Sequence, residues 1–497
     1  MKKNKYYKYI AVLLAVLGMS ACESIVDDLN VDPNNPTDAS ASLILTGAQV
    51  ANMTIQEGHA NRIANMWSGY YNGADRQYAD YALYNVNAGN FNTDWSNLYQ
   101  GVVSQTSLII EKSTESNNRY IIGIAKIIKA NAIGAATELW GDVPFTQTIQ
   151  FDIPNPEFDS QVSTLYPELL GLLDDAIADL ESGEGASPGA ADIHFNGVKS
   201  KWIELAHTLK ARYYMDLKDY ASAYSEASMG ISSPDGDMIS PHGVTDGGDI
   251  NMTYDFLVVG RAGDMDAGVG EDADGEQVYS ADLLDPEEPE YRGNAKTDET
   301  ARFLYLFLDN GGDSYTGRLE PNYLSVANGD PYSGVVAIDQ DYRTVTFAEN
   351  LLTLAEAGFR SQGFDVGLTH LNEFRAYMNE GGYIDPSYLE DYTPVYEPYV
   401  AADFASGGMA NTDGLSSDDA LLMEILEERY VTFVGTYLGF NDLRRTQDDA
   451  ISIPVEMTLN RGTDFPQRLI YGQDELNSNS NAPSPVPGVF DRMAIYQ

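Results

Sequence analysis

Apolar residues recur at three- and four-residue steps through most of this chain, with polar residues filling the positions between them. That spacing puts the apolar side chains on one face of an α-helix. The clearest instance is 120–145, where Ile121, Ile124, Ile128, Ala132, Ala135 and Leu139 share a face while Lys126 and Lys129 fall on the other. Gly141 supplies a stop and Pro144 forbids continuation. Gly134 and the surrounding alanines predict close approach by a second helix, which suits helix-on-helix packing. The same pattern predicts a helix over 42–67, with Leu43, Ala48, Ile55, Ile63 and Met66 inward. Another starts at Thr93 or Asp94 as N-cap and runs to Lys112, with Trp95 and Tyr99 read as core. Further helices are predicted over 165–180, 197–216, 220–229, 347–359, 364–379 and 418–433.

Two stretches break the pattern. In 69–92 aromatics alternate with Gly and Asn, giving a loop whose tyrosines each offer a flat apolar face with a polar rim. Across 232–340 the helical signal fades into Gly, Asp and Pro, with 302–308 as a short apolar run that fits a strand or a helical turn. Asp264, Asp266, Asp272 and Asp274 are close enough to suggest calcium. No D-x-D-x-D-G run ends in a glutamate at the twelfth position, so a solvated acidic loop is the expectation. The fold class that follows is mostly α: helix pairs forming a scaffold, with a loop-rich irregular region packed against it. Paired helices of this length are tetratricopeptide-like, yet no clean 34-residue period is present.

The 497 residues carry 29 Lys and Arg against 75 Asp and Glu, a net charge of −46. A field of that sign repels nucleic acid and anionic headgroups, so nucleic-acid binding is excluded as an expectation. The front end is not fold. Lys2, Lys3, Lys5 and Lys8 precede the apolar stretch 10–17 and the small-residue site Met19-Ser20-Ala21-Cys22, the layout of a secretory signal. Cys22 is the only cysteine, so no intramolecular disulfide can form. The expected organisation is a signal peptide over 1–21, a tether over 22–41 and a single α-helical domain over 42–497, with a loop-rich insertion at about 232–340.

Several motifs carry a family resemblance. Cys22 and its flanks resemble a bacterial lipobox, although Met19 replaces the usual leucine, and Glu23, Asp27 and Asp28 are similar to acidic surface-export signals of Bacteroidetes lipoproteins. The Asn- and Pro-rich 30–37, the Leu-Trp-Gly-Asp-Val-Pro-Phe run at 139–145 and the 347–357 helix resemble elements of the SusD/RagB family of nutrient-binding lipoproteins. So do Asn441-Asp442-Leu443-Arg444-Arg445-Thr446 and Arg468-Leu469-Ile470-Tyr471-Gly472 with Glu475 and Asn479, Gly472 standing where the family has proline. The residues themselves read as structural: arginines beside buried turns fork into backbone carbonyls and carboxylates and lock the helix ends. The resemblance implies a degenerate tetratricopeptide scaffold and lipidation at Cys22. It also implies a cell-surface place on the outer membrane and delivery of ligand to a TonB-dependent, SusC-like transporter.

No metal, nucleotide or nucleophile motif accompanies the five histidines, so neither cofactor nor catalyst is expected. Tyr is abundant at 33 against 17 Phe and 4 Trp. A glycan presents C–H faces and outward hydroxyls, which flat phenols and Asn, Asp or Arg side chains match. The candidate ligand-binding residues are therefore Tyr70, Tyr71, Asn72, Arg76 and Tyr81, with Tyr315 and Tyr323 across the site. Oligosaccharide is the first expectation. A peptide ligand on the same scaffold, a surface glycoside hydrolase and an adhesin are the alternatives.

Overall fold

The computed structural model describes residues 39–148, 150, 152–268, 277–310, 319–453, 455 and 464–497. The signal, Cys22, the 30–37 leader, Asp272, Asp274 and Tyr315 lie outside the described residues.

Helices form where the periodicity places them. The first scaffold elements are α1 (Ala41–Glu57), α2 (His59–Trp67), α3 (Arg76–Ala82), α4 (Ser104–Glu115), α5 (Arg119–Trp140) and α6 (Tyr166–Glu181). They are followed by α7 (Lys199–Asp216), α8 (Tyr220–Ala227), α9 (Phe347–Gln362), α10 (Phe364–Asn379), α11 (Ser417–Thr432) and α12 (Leu438–Thr446). Three expectations change. The single helix over 42–67 is two, because the chain breaks at Gly58, where an added Cβ would stand 2.1 Å from the Thr54 carbonyl oxygen. Leu43, expected inward, is 61% exposed. Asp94 caps α2 rather than its own helix: it accepts the Ala60 N–H at 3.1 Å and pairs with His59 Nδ1 at 3.0 Å.

The α5 helix is not amphipathic in place. It is buried nearly all round, because α1, α4, α6 and α7 all pack on it. It is the one helix among the described residues long and apolar enough to cross a membrane, and it lies inside the core. Its lysines are drawn into that packing. Lys126 reaches Asp179 on α6 at 2.8 Å, and Lys129 donates to Ser107 Oγ on α4 while burial lowers its ammonium to about 8. Gly134 does admit a neighbour: the Tyr213 phenol of α7 lies over it and donates to the Ala130 carbonyl at 2.8 Å. Helices then pair in succession, α5 with α6, α7 with α8 and α9 with α10, and α8 joins the second pair to the third. This is the tetratricopeptide-like scaffold expected from sequence.

The C-terminal motifs lock that scaffold. The 139–145 run and the 468–472 run meet directly. Leu469 N–H donates to the Leu139 carbonyl at 2.9 Å, Trp140 Nε1 to the Ile470 carbonyl at 2.9 Å, and the Tyr471 hydroxyl to the Asp142 carbonyl at 2.7 Å. The Arg468 guanidinium donates to the Trp140 carbonyl. On α12, Arg444 donates to the carbonyls of Phe440, Gln467 and Glu138. Arg445 forks onto Glu356 of α9 at 2.7 and 2.8 Å and onto Asp442. Burial alone would raise the Glu356 carboxyl, but Arg445, Arg360 and Arg429 hold it well below the usual range.

The irregular region has only short antiparallel ladders. These are β1 (Asn72–Gly73) with β3 (Met265–Asp266), β2 (Met238–Ser240) with β7 (Tyr342–Val345), β4 (Thr297–Asp298) with β8 (Val395–Tyr396), and β5 (Phe307–Asp309) with β6 (Leu319–Pro321). The apolar run at 302–308 is both things it could have been: a helical turn, Thr300–Leu306, running straight into β5.

Candidate functional site

The 69–92 stretch is less of a loop than its composition implies. Gly69 (φ +73) turns the chain out of α2, β1 pairs with β3, and the Asp75 side chain caps α3. Pairing holds Asn72 opposite Asp266, with Asn72 Nδ2 donating to Asp266 Oδ1 at 3.2 Å. Past β3, Ala267 N–H donates to the Leu319 carbonyl of β6 at 3.0 Å. The β1–β3 pairing and this one hydrogen bond thus link the segment bearing Asn72 and Arg76 to the segment bearing Tyr323, about 250 residues away in sequence.

The tyrosines divide. Tyr70 is fully buried, donates to the Tyr430 carbonyl at 2.6 Å and has no face left for a ligand. Tyr81 is buried beside His59 and Tyr78, its hydroxyl accepting from Asn90 Nδ2 at 2.8 Å. Tyr71 is also buried, with its hydroxyl turned toward an interior cavity. The aromatic spacing that suggested a display surface is thus largely core packing, since a phenol buries a large ring and needs only one hydrogen bond.

Two of the named residues keep surface. Arg76 is half-exposed, with Nε 2.7 Å from buried Asp264 and Nη2 donating to the Ala262 carbonyl. Arg261 stands beside the same carboxylate at 3.7 Å, next to exposed Val259. Asp264 is therefore already paired with two guanidinium groups. Tyr323 is half-buried, its hydroxyl pushed up to about 12 by burial and by Glu320. Tyr254 borders it and accepts from exposed Asn328 Nδ2 at 3.0 Å. Arg261 and Asn328 carry no periodic or motif signal; only their contacts group Arg261 with Arg76 at Asp264 and Asn328 with Tyr323 at Tyr254.

A cavity of about 90 Å³ lies where α2, the start of α9 and the 432–438 turn face the irregular region, and none of Arg76, Arg261, Tyr323 and Asn328 lines it. Tyr71, Tyr305, Tyr342 and Tyr383 line it, with Asn61, Asn65, Arg62 and Arg343. Among the described residues no three His, Cys, Asp or Glu side chains come together as a metal site. Each histidine has a partner: Asp94 for His59, the Ile239 carbonyl for His194, Glu226 for His207, Glu57 for His242 and Glu373 for His370.

Comparison with known proteins agrees with this architecture. Residues 33–236 match a SusD-like family model described as starch-binding and associating with the outer membrane. No curated protein matches the chain. Among solved structures, a SusD/RagB family protein from Bacteroides thetaiotaomicron superposes with a TM-score of 0.66 at 19% identity, covering 92% of this chain and 99% of that one. A chitin-binding SusD homolog from Flavobacterium johnsoniae gives 0.64 at 17% identity, covering 92% and 97%. A SusD homolog from Parabacteroides distasonis gives 0.65 at 16% identity, covering 92% and 98%. By sequence over 33–236 this chain is similar to the SusD-like family, and over more than nine-tenths of its length it has the fold of SusD/RagB family structures.

Proposed function

We propose that the protein is a cell-surface lipoprotein, tethered through acyl groups on Cys22, that captures an oligosaccharide and delivers it to a TonB-dependent, SusC-like outer-membrane transporter. The reading rests on an exposed rim built from two clusters, Arg76 and Arg261 around Asp264 and Tyr323 and Asn328 around Tyr254, on segments tied together by the β1–β3 pairing and the Ala267–Leu319 hydrogen bond. Such a rim offers planar donors, an aromatic face and an amide, the groups a shallow site needs to hold sugar hydroxyls and C–H faces. The starch-binding description of the family and the chitin-binding relative support a glycan over a peptide. Of the described residues named from sequence, Arg76 and Tyr323 are the ones with surface to give, and Asn72 acts by holding β1 against β3. The role is capture: a binding family, and histidines each engaged in a structural contact, favour a non-catalytic protein.

Titration calorimetry of the purified protein against starch and chitin oligosaccharides tests the reading. Saturable binding that drops at least about tenfold in Arg76→Ala or Tyr323→Ala, with no products released, is expected. Failure to bind any glycan, or hydrolysis of one, overturns it. Co-purification of a large outer-membrane barrel with the wild-type chain, and loss of membrane association in Cys22→Ser, test the partner and the anchor.

A further inference from the structure

The interior cavity has features that packing alone does not require. Tyr71 Oη, Asn65 Oδ1, Thr344 Oγ1 and Arg62 Nε are buried and find no partner within the described protein, and all four residues line the cavity. An unsatisfied buried polar atom is costly, and four around one void are the signature of a site completed by something else. The other wall is apolar, formed by Leu306, Val336, Val434 and Leu438. The cavity is partly open to solvent, and its volume corresponds to room for about six waters. That is the bulk of one sugar ring, too little for a chain.

Charge and hydrogen-bond character narrow the occupant. The charged groups facing the cavity already have counter-charges: Glu349 is forked onto Arg212 at 2.6 Å through each oxygen, Arg343 lies 3.7 Å from Asp237, and Arg62 and Asp341 both stand beside the Glu57–His242 pair. A net-charged ligand gains nothing from that balance. Burial holds the Tyr71 phenol well above its ordinary range, so it stays a donor. Arg62 Nε also donates, Asn65 Oδ1 accepts, and the Thr344 hydroxyl does either. A ligand answering all four needs hydroxyls that both give and take, on a ring with an apolar face.

We propose that this cavity is a second, interior site that takes a single neutral pyranose, distinct from the exposed rim and independent of what the rim binds. Tyr71 and Thr344 are its hydrogen-bonding residues and the Leu306–Val336–Val434 wall receives the sugar's C–H face.

The test is calorimetry of the full-length protein with free glucose, galactose and N-acetylglucosamine. Binding of at least one at one site per chain is expected, weakened about fivefold by Tyr71→Phe and similarly by Thr344→Val, each of which removes one hydroxyl and keeps its bulk. Both variants should keep the wild-type melting temperature in the absence of sugar. A saturating oligosaccharide that occupies the rim should leave the monosaccharide isotherm unchanged; if it displaces the sugar, the sites are one and the proposal fails. No saturable binding of any of the three sugars means the cavity holds ordered water only and also overturns it. If the rim binds no glycan while a pyranose still titrates with dependence on Tyr71, the interior site stands and the capture reading falls.

Discussion

Arg445 and Arg76 carry the same guanidinium to opposite ends of the burial scale. Arg445 is fully enclosed, forks onto Glu356 and reaches back to Asp442. Arg76 keeps about half its side chain in water, and the carboxylate it meets, Asp264, has Arg261 as a second partner. The first joins α12 to α9 and is part of a motif readable in one dimension. The second belongs to the irregular region and is placed by a two-residue ladder. Charge in the helical scaffold therefore specifies the fold, while charge on the rim remains free to meet something outside it.

The largest expected effect comes from breaking the enclosed pair. Arg445→Ala leaves Glu356 buried without its main counter-charge and takes one of two arginines from Asp442, and removal of one partner of a buried pair costs about 3–5 kcal/mol. Urea unfolding should show a loss of that size. A change below roughly 1 kcal/mol would mean that Arg360 and Arg429, 2.9 and 3.2 Å from Glu356, suffice for the site, and would dissolve the contrast with Arg76.

Next is the close approach on α5. In Gly134→Ala the new Cβ would lie 2.0 Å from the Tyr213 hydroxyl, which must leave its bond to the Ala130 carbonyl. Overpacking of this kind costs about 1–3 kcal/mol, against a gain in helix propensity of about 1 kcal/mol. The net loss should shrink in a Tyr213→Phe background, where the offending oxygen is gone. Equal losses in both backgrounds would show that the small residue is not what lets α7 in.

A pH series separates two sets of acids. Burial would raise Glu428, but Arg302 and Arg292 hold it at about 2. Its stabilisation is complete above the ordinary glutamate range and is lost as pH falls toward 2. Burial raises Glu427 and Asp282, each to about 7, the latter helped by Glu288 and Glu290. The folded state holds protons there that the unfolded chain has released, so stability declines as pH rises from about 4 to 7. Melting temperature at fixed salt should peak near pH 4 and fall toward pH 7, and Glu427→Gln should flatten the neutral-side decline. A curve that climbs steadily from about pH 4 to 7 contradicts the assignment.

The helices, their pairing and the arginine locks were legible because each rests on local spacing or on a motif whose chemistry is structural. What the sequence could not separate is a tyrosine that displays itself from one that fills a core. Tyr70 and Tyr323 sit in equally Gly- and Asn-rich surroundings, yet Tyr70 packs on Tyr430 with ring centroids 4.8 Å apart while Tyr323 keeps part of its ring in solvent. That outcome is set by which segments the short ladders bring together. Helical period carries no information about ladders two or three residues long, and it failed likewise at Leu43, which no described residue covers.

The smallest expected change in stability is also the one that isolates the rim. Arg76→Ala removes a half-exposed ion pair, worth about 1 kcal/mol or less, and Asp264 keeps Arg261 within 3.7 Å. Tyr323→Ala gives up only the buried part of its ring. Both should unfold close to wild type while losing glycan affinity, whereas Tyr70→Ala, which empties a fully buried site and frees the Tyr430 carbonyl, should cost about 3–5 kcal/mol and affect binding only through folding. Plotting affinity against stability for the three variants puts Arg76→Ala and Tyr323→Ala on one axis and Tyr70→Ala on the other. If all three lie on a single line, the rim has no role of its own, and the contrast between enclosed and exposed arginines is a difference in burial alone.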